Sequence, residues 1–66
     1  MKEFDKIELL ESINPVIKKG MHGYILEVYD NGNVFEVEFP KEDATDYEYD
    51  GQYTFAISKD KLKSLE

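Results

Sequence analysis

The residues best able to do chemistry concentrate in one stretch, residues 42–50. Glu42, Asp43, Asp46, Glu48 and Asp50 share it with Tyr47 and Tyr49, and no basic residue interrupts them. Tyr53 follows closely. Acids and aromatics alternate strictly from Asp46 to Asp50. Successive side chains of an extended segment point to opposite sides. The spacing therefore predicts a carboxylate ladder of Asp46, Glu48 and Asp50, with Tyr47 and Tyr49 behind it. Like charges on one face repel, so folding gains nothing from such a ladder. One reading is a contact surface for a basic protein, with Tyr47, Tyr49 and Tyr53 as anchors and Glu42, Asp43, Asp46, Glu48 and Asp50 steering encounter. The other is a solvated loop whose charge maintains solubility, its tyrosines folded back over the domain. Disordered loops are poor in aromatics, whereas tyrosine supplies contact area at low entropic cost.

Other chemistries find less support. His22 is the only histidine, and without cysteine or a second histidine no zinc site can be completed. It reads as a turn residue. Ser12, Ser58 and Ser64 lack the glycines of a nucleophile elbow, and each would depend on that one histidine. Paired carboxylates need burial to raise a pKa, and these acids lie among polar turn residues. Residues 46–51 match the first half of a calcium loop, but Ile57 stands at position 12, where the bidentate glutamate belongs. Lys18 and Lys19 precede Gly20 and Gly23, a pattern able to hold phosphate. In an acidic chain it reads better as a turn flanked by solvated lysines. The expectation is a protein without catalysis, metal, cofactor or small-molecule substrate.

Composition narrows the partners. Fifteen acids against eight lysines, with no arginine, give a net charge of −7. A nucleic-acid binder would show the opposite balance. At 66 residues the chain is one small domain, 1–66, and would bury only about 60% of its unfolded surface. With no cysteine it has no disulfide and must rely on an apolar core. No apolar run approaches the roughly 20 residues of a membrane span, and residues 1–6 lack a signal-peptide core. A soluble cytoplasmic protein is expected, with neither nucleic acid nor membrane as partner.

Strands must position the acidic segment. Residues 24–29 have strand composition, and Asp30, Asn31, Gly32 and Asn33 form the clearest hairpin turn. Residues 34–39 alternate, which sends Phe35, Val37 and Phe39 to the core and Glu36 and Glu38 to water. Pro40 then ends the strand or marks a sheet edge open to strand addition. Residues 53–57 predict another strand with Tyr53, Phe55 and Ile57 on one face. A short helical turn and a terminal strand follow, contributing Leu62 and Leu65 to the core. Near the N-terminus, Phe4, Ile7, Leu10 and Ile13 fit a helical stripe, while Ile7 and Leu9 fit a strand equally well.

Residues 5–10, residues 18–32, residues 35–39 and the closing Leu62 resemble a bacterial family of short proteins known only as a domain of unknown function. Its Lys-Gly-x-x-Gly-x-x-x-x-Val-Tyr-Asp-x-Gly core corresponds to residues 19–32. The wider pattern is similar to SH3-like barrels. The resemblance implies a mainly β fold, a small five-stranded antiparallel SH3-like barrel with a short helical turn near the C-terminus. It favours a strand at residues 7–10 and carries over no catalytic residue. The acidic segment, at 41–52, is an insert relative to the family. Its members often neighbour secreted toxin genes, which by analogy suggests an immunity protein covering the cleft of a basic, nuclease-type toxin. The alternative is an accessory module that docks onto a larger enzyme or a nucleoprotein complex through a groove near Tyr24, Tyr29 and Phe35, with Lys18 and Lys19 contributing.

Overall fold

The computed structural model describes all residues 1–66. Five strands form one antiparallel sheet: β1 (Lys6–Leu9), β2 (His22–Tyr29), β3 (Val34–Glu38), β4 (Thr54–Ser58) and β5 (Leu62–Ser64). Their spatial order is β4-β3-β2-β1-β5, the order of an SH3-like barrel. The only helical elements are 3₁₀ turns at Asp30–Gly32 and Lys59–Lys61. The second is the short turn expected near the C-terminus.

Period-two burial explains why these segments are strands. Ile7 and Leu9 on β1, Phe35 and Val37 on β3, and Phe55 and Ile57 on β4 all point inward. Ile25, Phe39, Leu62 and Ile17 complete a ten-residue apolar core. Phe39 and Phe55 meet there with ring centroids 6.3 Å apart and planes tilted by 50°, within the range of favourable aromatic pairs. The alternative helix near the N-terminus is overruled: of its stripe, Ile7 is buried and Ile13 packs against the core, but Phe4 is 74% exposed and Leu10 is exposed too, so the four do not share one buried face. Pairing of β1 with both β2 and β5 decides the matter.

Two features let so small a sheet close over its core. β2 carries a bulge between Ile25 and Glu27, which bends the strand. Gly23, opposite Ile7, is buried against β3. A Cβ there would meet Phe39 Cδ1 and Val37 Cγ1 at 2.9 Å and press on the carbonyl oxygen of Glu38. Only glycine permits that approach.

The loop between β1 and β2 is pinned by Asn14. Its Oδ1 accepts hydrogen bonds from the backbone N–H groups of Val16 and Ile17, both at 2.8 Å. This Asx-type turn delivers Ile17, wholly buried, into the core. At the other end of β2, Asp30, Asn31 and Gly32 all take positive φ, as the hairpin signal requires.

Several expectations need correction. Leu65 remains 38% exposed, because the last strand ends at Ser64. Tyr53 precedes β4 and lies outside the core with 57% exposure. Glu38 is half-buried rather than freely solvated. Residues 34–38 do not form an edge, since β3 lies between β2 and β4.

Candidate interaction surface

The acidic segment is an ordered pair of turns inserted between β3 and β4. Chain reversal begins at once: the Lys41 N–H donates to the Thr45 carbonyl at 2.7 Å, and the Tyr47 N–H donates to the Phe39 carbonyl at 2.9 Å. Ala44 takes φ 71°, closing the first turn. Asp43 Oδ1 accepts from the Thr45 N–H at 3.1 Å and from its hydroxyl at 2.5 Å. Those two bonds, chiefly the one from the hydroxyl, hold the Asp43 carboxyl below its ordinary pKa.

A second turn follows. Tyr49 and Gln52 exchange both backbone hydrogen bonds at 3.0 Å. Asp50 and Gly51 between them have φ of 53° and 79°. That is a two-residue hairpin of the type Asp-Gly favours. Glu48 Oε2 accepts from the Gly51 N–H at 2.6 Å and braces it.

This geometry replaces the expected ladder. The chain is extended only in part, so strict alternation across residues 46–50 is broken at the Asp50 turn. Asp46 is half-buried and paired across from Pro40. Tyr47 packs against the core, and the Lys41 ammonium lies 5.3 Å from its ring centroid. Tyr47 is therefore partly withdrawn from the surface, whereas Tyr49 (38% exposed) and Tyr53 remain available. Glu42, Asp43, Glu48 and Asp50 are exposed, although Asp43 and Glu48 already accept bonds from their own loop. The turn at Asp50 and Gly51 was readable in the sequence as Asp-Gly. The alternating acids and tyrosines masked it.

A second set of acids joins the first. On the outward face of the sheet, Tyr24 lies opposite Glu38, and Glu27 opposite Glu36. Glu38 has its pKa raised by burial and then by the neighbouring Asp46 carboxylate. Glu27, Glu36, Glu38 and Asp46 thus lead across the sheet into the insert. At the end of β2, the Tyr29 hydroxyl donates to Glu27 Oε2 at 3.3 Å. Lost hydration, then the charges of Glu27 and Glu36, push the Tyr29 phenol above its usual pKa. Sequence reasoning treated Glu36 and Glu38 as an ordinary solvated strand face. Cross-strand register, which brings Glu27 opposite Glu36, is what the linear pattern could not supply.

The groove expected near Tyr24, Tyr29 and Phe35 does not form as such. Tyr24 and Tyr29 are exposed on β2, but Phe35 is 1% exposed and faces the core. Lys18 and Lys19 are exposed in the loop between β1 and β2, where the Lys19 N–H donates to Ser12 Oγ at 2.8 Å. No pocket opens on the surface, and no three His, Cys, Asp or Glu residues are gathered as a metal site. No family model matches the chain, and neither does any curated protein or solved structure.

Proposed function

We propose that this chain is a stoichiometric inhibitor of a basic protein, an immunity protein that covers the phosphate-binding cleft of a nuclease-type bacterial toxin. The observation that carries this reading is the continuity of negative charge from Glu27 and Glu36, through Glu38 and Asp46, into the exposed Glu48 and Asp50. Nucleases need cationic clefts to hold phosphates, and such a surface competes for the same charges. Tyr49 and Tyr53, being the exposed rings of the insert, are the anchors. Tyr47 holds the insert on the barrel. Glu42, Asp43, Asp46, Glu48 and Asp50 steer encounter, which charge does more effectively than it adds affinity.

The test is capture of the partner on immobilised protein at low and at high salt, followed by its identification. The expected partner is strongly basic, is released by salt, and loses its nuclease activity at one equivalent of this chain. Converting Asp46, Glu48 and Asp50 to Asn should slow association and flatten its salt dependence. A neutral or acidic partner, or release insensitive to salt, would end this reading. The exposure of Tyr24 and Tyr29 on β2 favours a second reading, an accessory module docking onto a larger enzyme or a nucleoprotein complex. In that case Tyr24→Ala, and not the Asn variants, should abolish capture.

A further inference from the structure

We propose that the outer edge of β4 takes up an extended segment of the basic partner as a sixth strand. This rests on the basic-partner reading and specifies how such a partner is held.

Four observations lead to it. First, β4 ends the sheet, with β3 as its only strand neighbour. Second, the direction of its backbone groups follows from register. Val34 pairs with Ser58, so Asn33 lies opposite Lys59, and the Lys59 N–H donates to the Asn33 carbonyl at 2.9 Å. Bonded and non-bonded pairs alternate along an antiparallel ladder. Phe35 with Ile57 and Val37 with Phe55 are therefore the bonded pairs, while Thr54, Ala56 and Ser58 turn their N–H and C=O groups away from β3. None of the turn, loop or side-chain hydrogen bonds reaches those groups.

Third, the edge is undefended. Sheet edges are ordinarily guarded by lysine, proline or a bulge. β4 reads Thr-Phe-Ala-Ile-Ser, without a charge or a proline, and pairs with β3 in unbroken register. The opposite edge, β5, has three residues and carries Lys63. Fourth, the surroundings select the occupant. Glu36 and Glu38 stand one strand away, opposite Ala56 and Thr54, and Asp46 borders Glu38. Exposed Tyr53 adjoins Thr54. An added strand would place alternate side chains beside this acidic face, where lysine or arginine fits. A second copy, itself carrying −7, meets repulsion there.

The probe is a nine-residue peptide of alternating lysine and valine, blocked at both ends, titrated into the full chain. A second peptide of the same sequence, N-methylated at alternate residues, has the same charge but cannot pair as a strand. We expect the first peptide to slow amide exchange at Thr54, Ala56 and Ser58 at least tenfold, and the second to have no such effect. Ala56→Pro deletes one outward N–H and leaves the bonds to β3 in place, as edge prolines do. It should keep the native spectrum and weaken binding of the first peptide at least tenfold. The N-methylated control decides the matter independently should that variant fold poorly. If both peptides bind alike, with changes confined to residues 42–53, the edge proposal is wrong and the basic-partner reading survives. If neither binds, the edge proposal also falls, and salt-dependent capture still judges the partner's charge separately. A dimer abolished by Ala56→Pro would assign the edge to a second copy and overturn the choice of occupant.

Discussion

Glu38 shows how one side chain can stand against the fold that holds it. The residue is half-buried and its carboxyl feels first this partial loss of hydration and then the negative charge of Asp46, so the folded chain binds its proton more readily than the unfolded chain does. A group with a raised folded pKa favours folding once protonated. Its favourable effect is complete below the unfolded pKa and is lost as pH rises through the folded one. Replacing Glu38 by Gln should therefore stabilise the protein at pH 7, by about 0.2–1 kcal/mol, the scale of neighbouring pairs on a sheet face. The gain should shrink on acidification toward pH 4. Urea unfolding at both pH values checks this, and equal effects at the two would refute it. Asp43 has the opposite sign, because its Thr45 bonds favour the ionised form. Its contribution is present above the unfolded pKa and fades as pH falls through the lowered one. Gly23 is a steric counterpart. A methyl group there must displace Phe39, Val37 and the Glu38 carbonyl together. Gly23→Ala should cost about 1–3 kcal/mol, the usual range for overpacking, despite alanine's lower unfolded-state entropy. An unchanged urea midpoint would show that β2 and β3 can separate.

At the scale of elements, the loop between β1 and β2 depends on Asn14 for its shape. Two backbone N–H groups converge on its Oδ1, and the turn they make carries Ile17 into the core. Asn14→Ala orphans both donors and should cost about 1–3 kcal/mol. Asn14→Asp keeps the acceptor and should recover most of that. Equal losses in the two variants, read by urea unfolding, would mean that the oxygen is not what matters. This loop also marks where the sequence stopped being legible. Phe35, Val37, Phe39, Phe55 and Ile57 could be assigned to the core because a strand repeats every two residues. Ile17 has no such rhythm around it, and its burial follows from a side-chain-capped turn. Residues 4–13 held two periodicities at once, and only pairing with β2 and β5 chose the strand. In the insert, the acids and tyrosines were visible as types. Their directions were not, because Ala44, Asp50 and Gly51 adopt positive φ and turn the chain twice within eight residues. The same geometry separates Tyr47, held on the core beside Lys41, from the exposed Tyr49 and Tyr53.

For the whole molecule, charge sets the balance between stability and association. Seven net negative charges occupy a body measuring 30 × 20 × 19 Å. At low ionic strength the Debye length is comparable with those dimensions, about 30 Å at 0.01 M, so most of the carboxylates interact. At 1 M salt it falls to about 3 Å, and only adjacent pairs such as Glu27 with Glu36 still repel. The unfolded chain spreads the same charges farther apart and gains less from screening. Added salt should therefore stabilise the folded protein while it weakens capture of a basic partner. Between 10 mM and 500 mM sodium chloride we expect a gain on the order of 1 kcal/mol, which in a domain of this size corresponds to a rise in Tm of about 4–8 °C. Glu36→Gln, which removes one member of the cross-strand pair, should raise Tm at low salt and reduce the further rise. Thermal unfolding followed by circular dichroism across the salt series measures both. A Tm that stays level or falls would mean that the carboxylates do not strain the fold, and a face kept acidic at the expense of stability would no longer be an argument for a cationic partner.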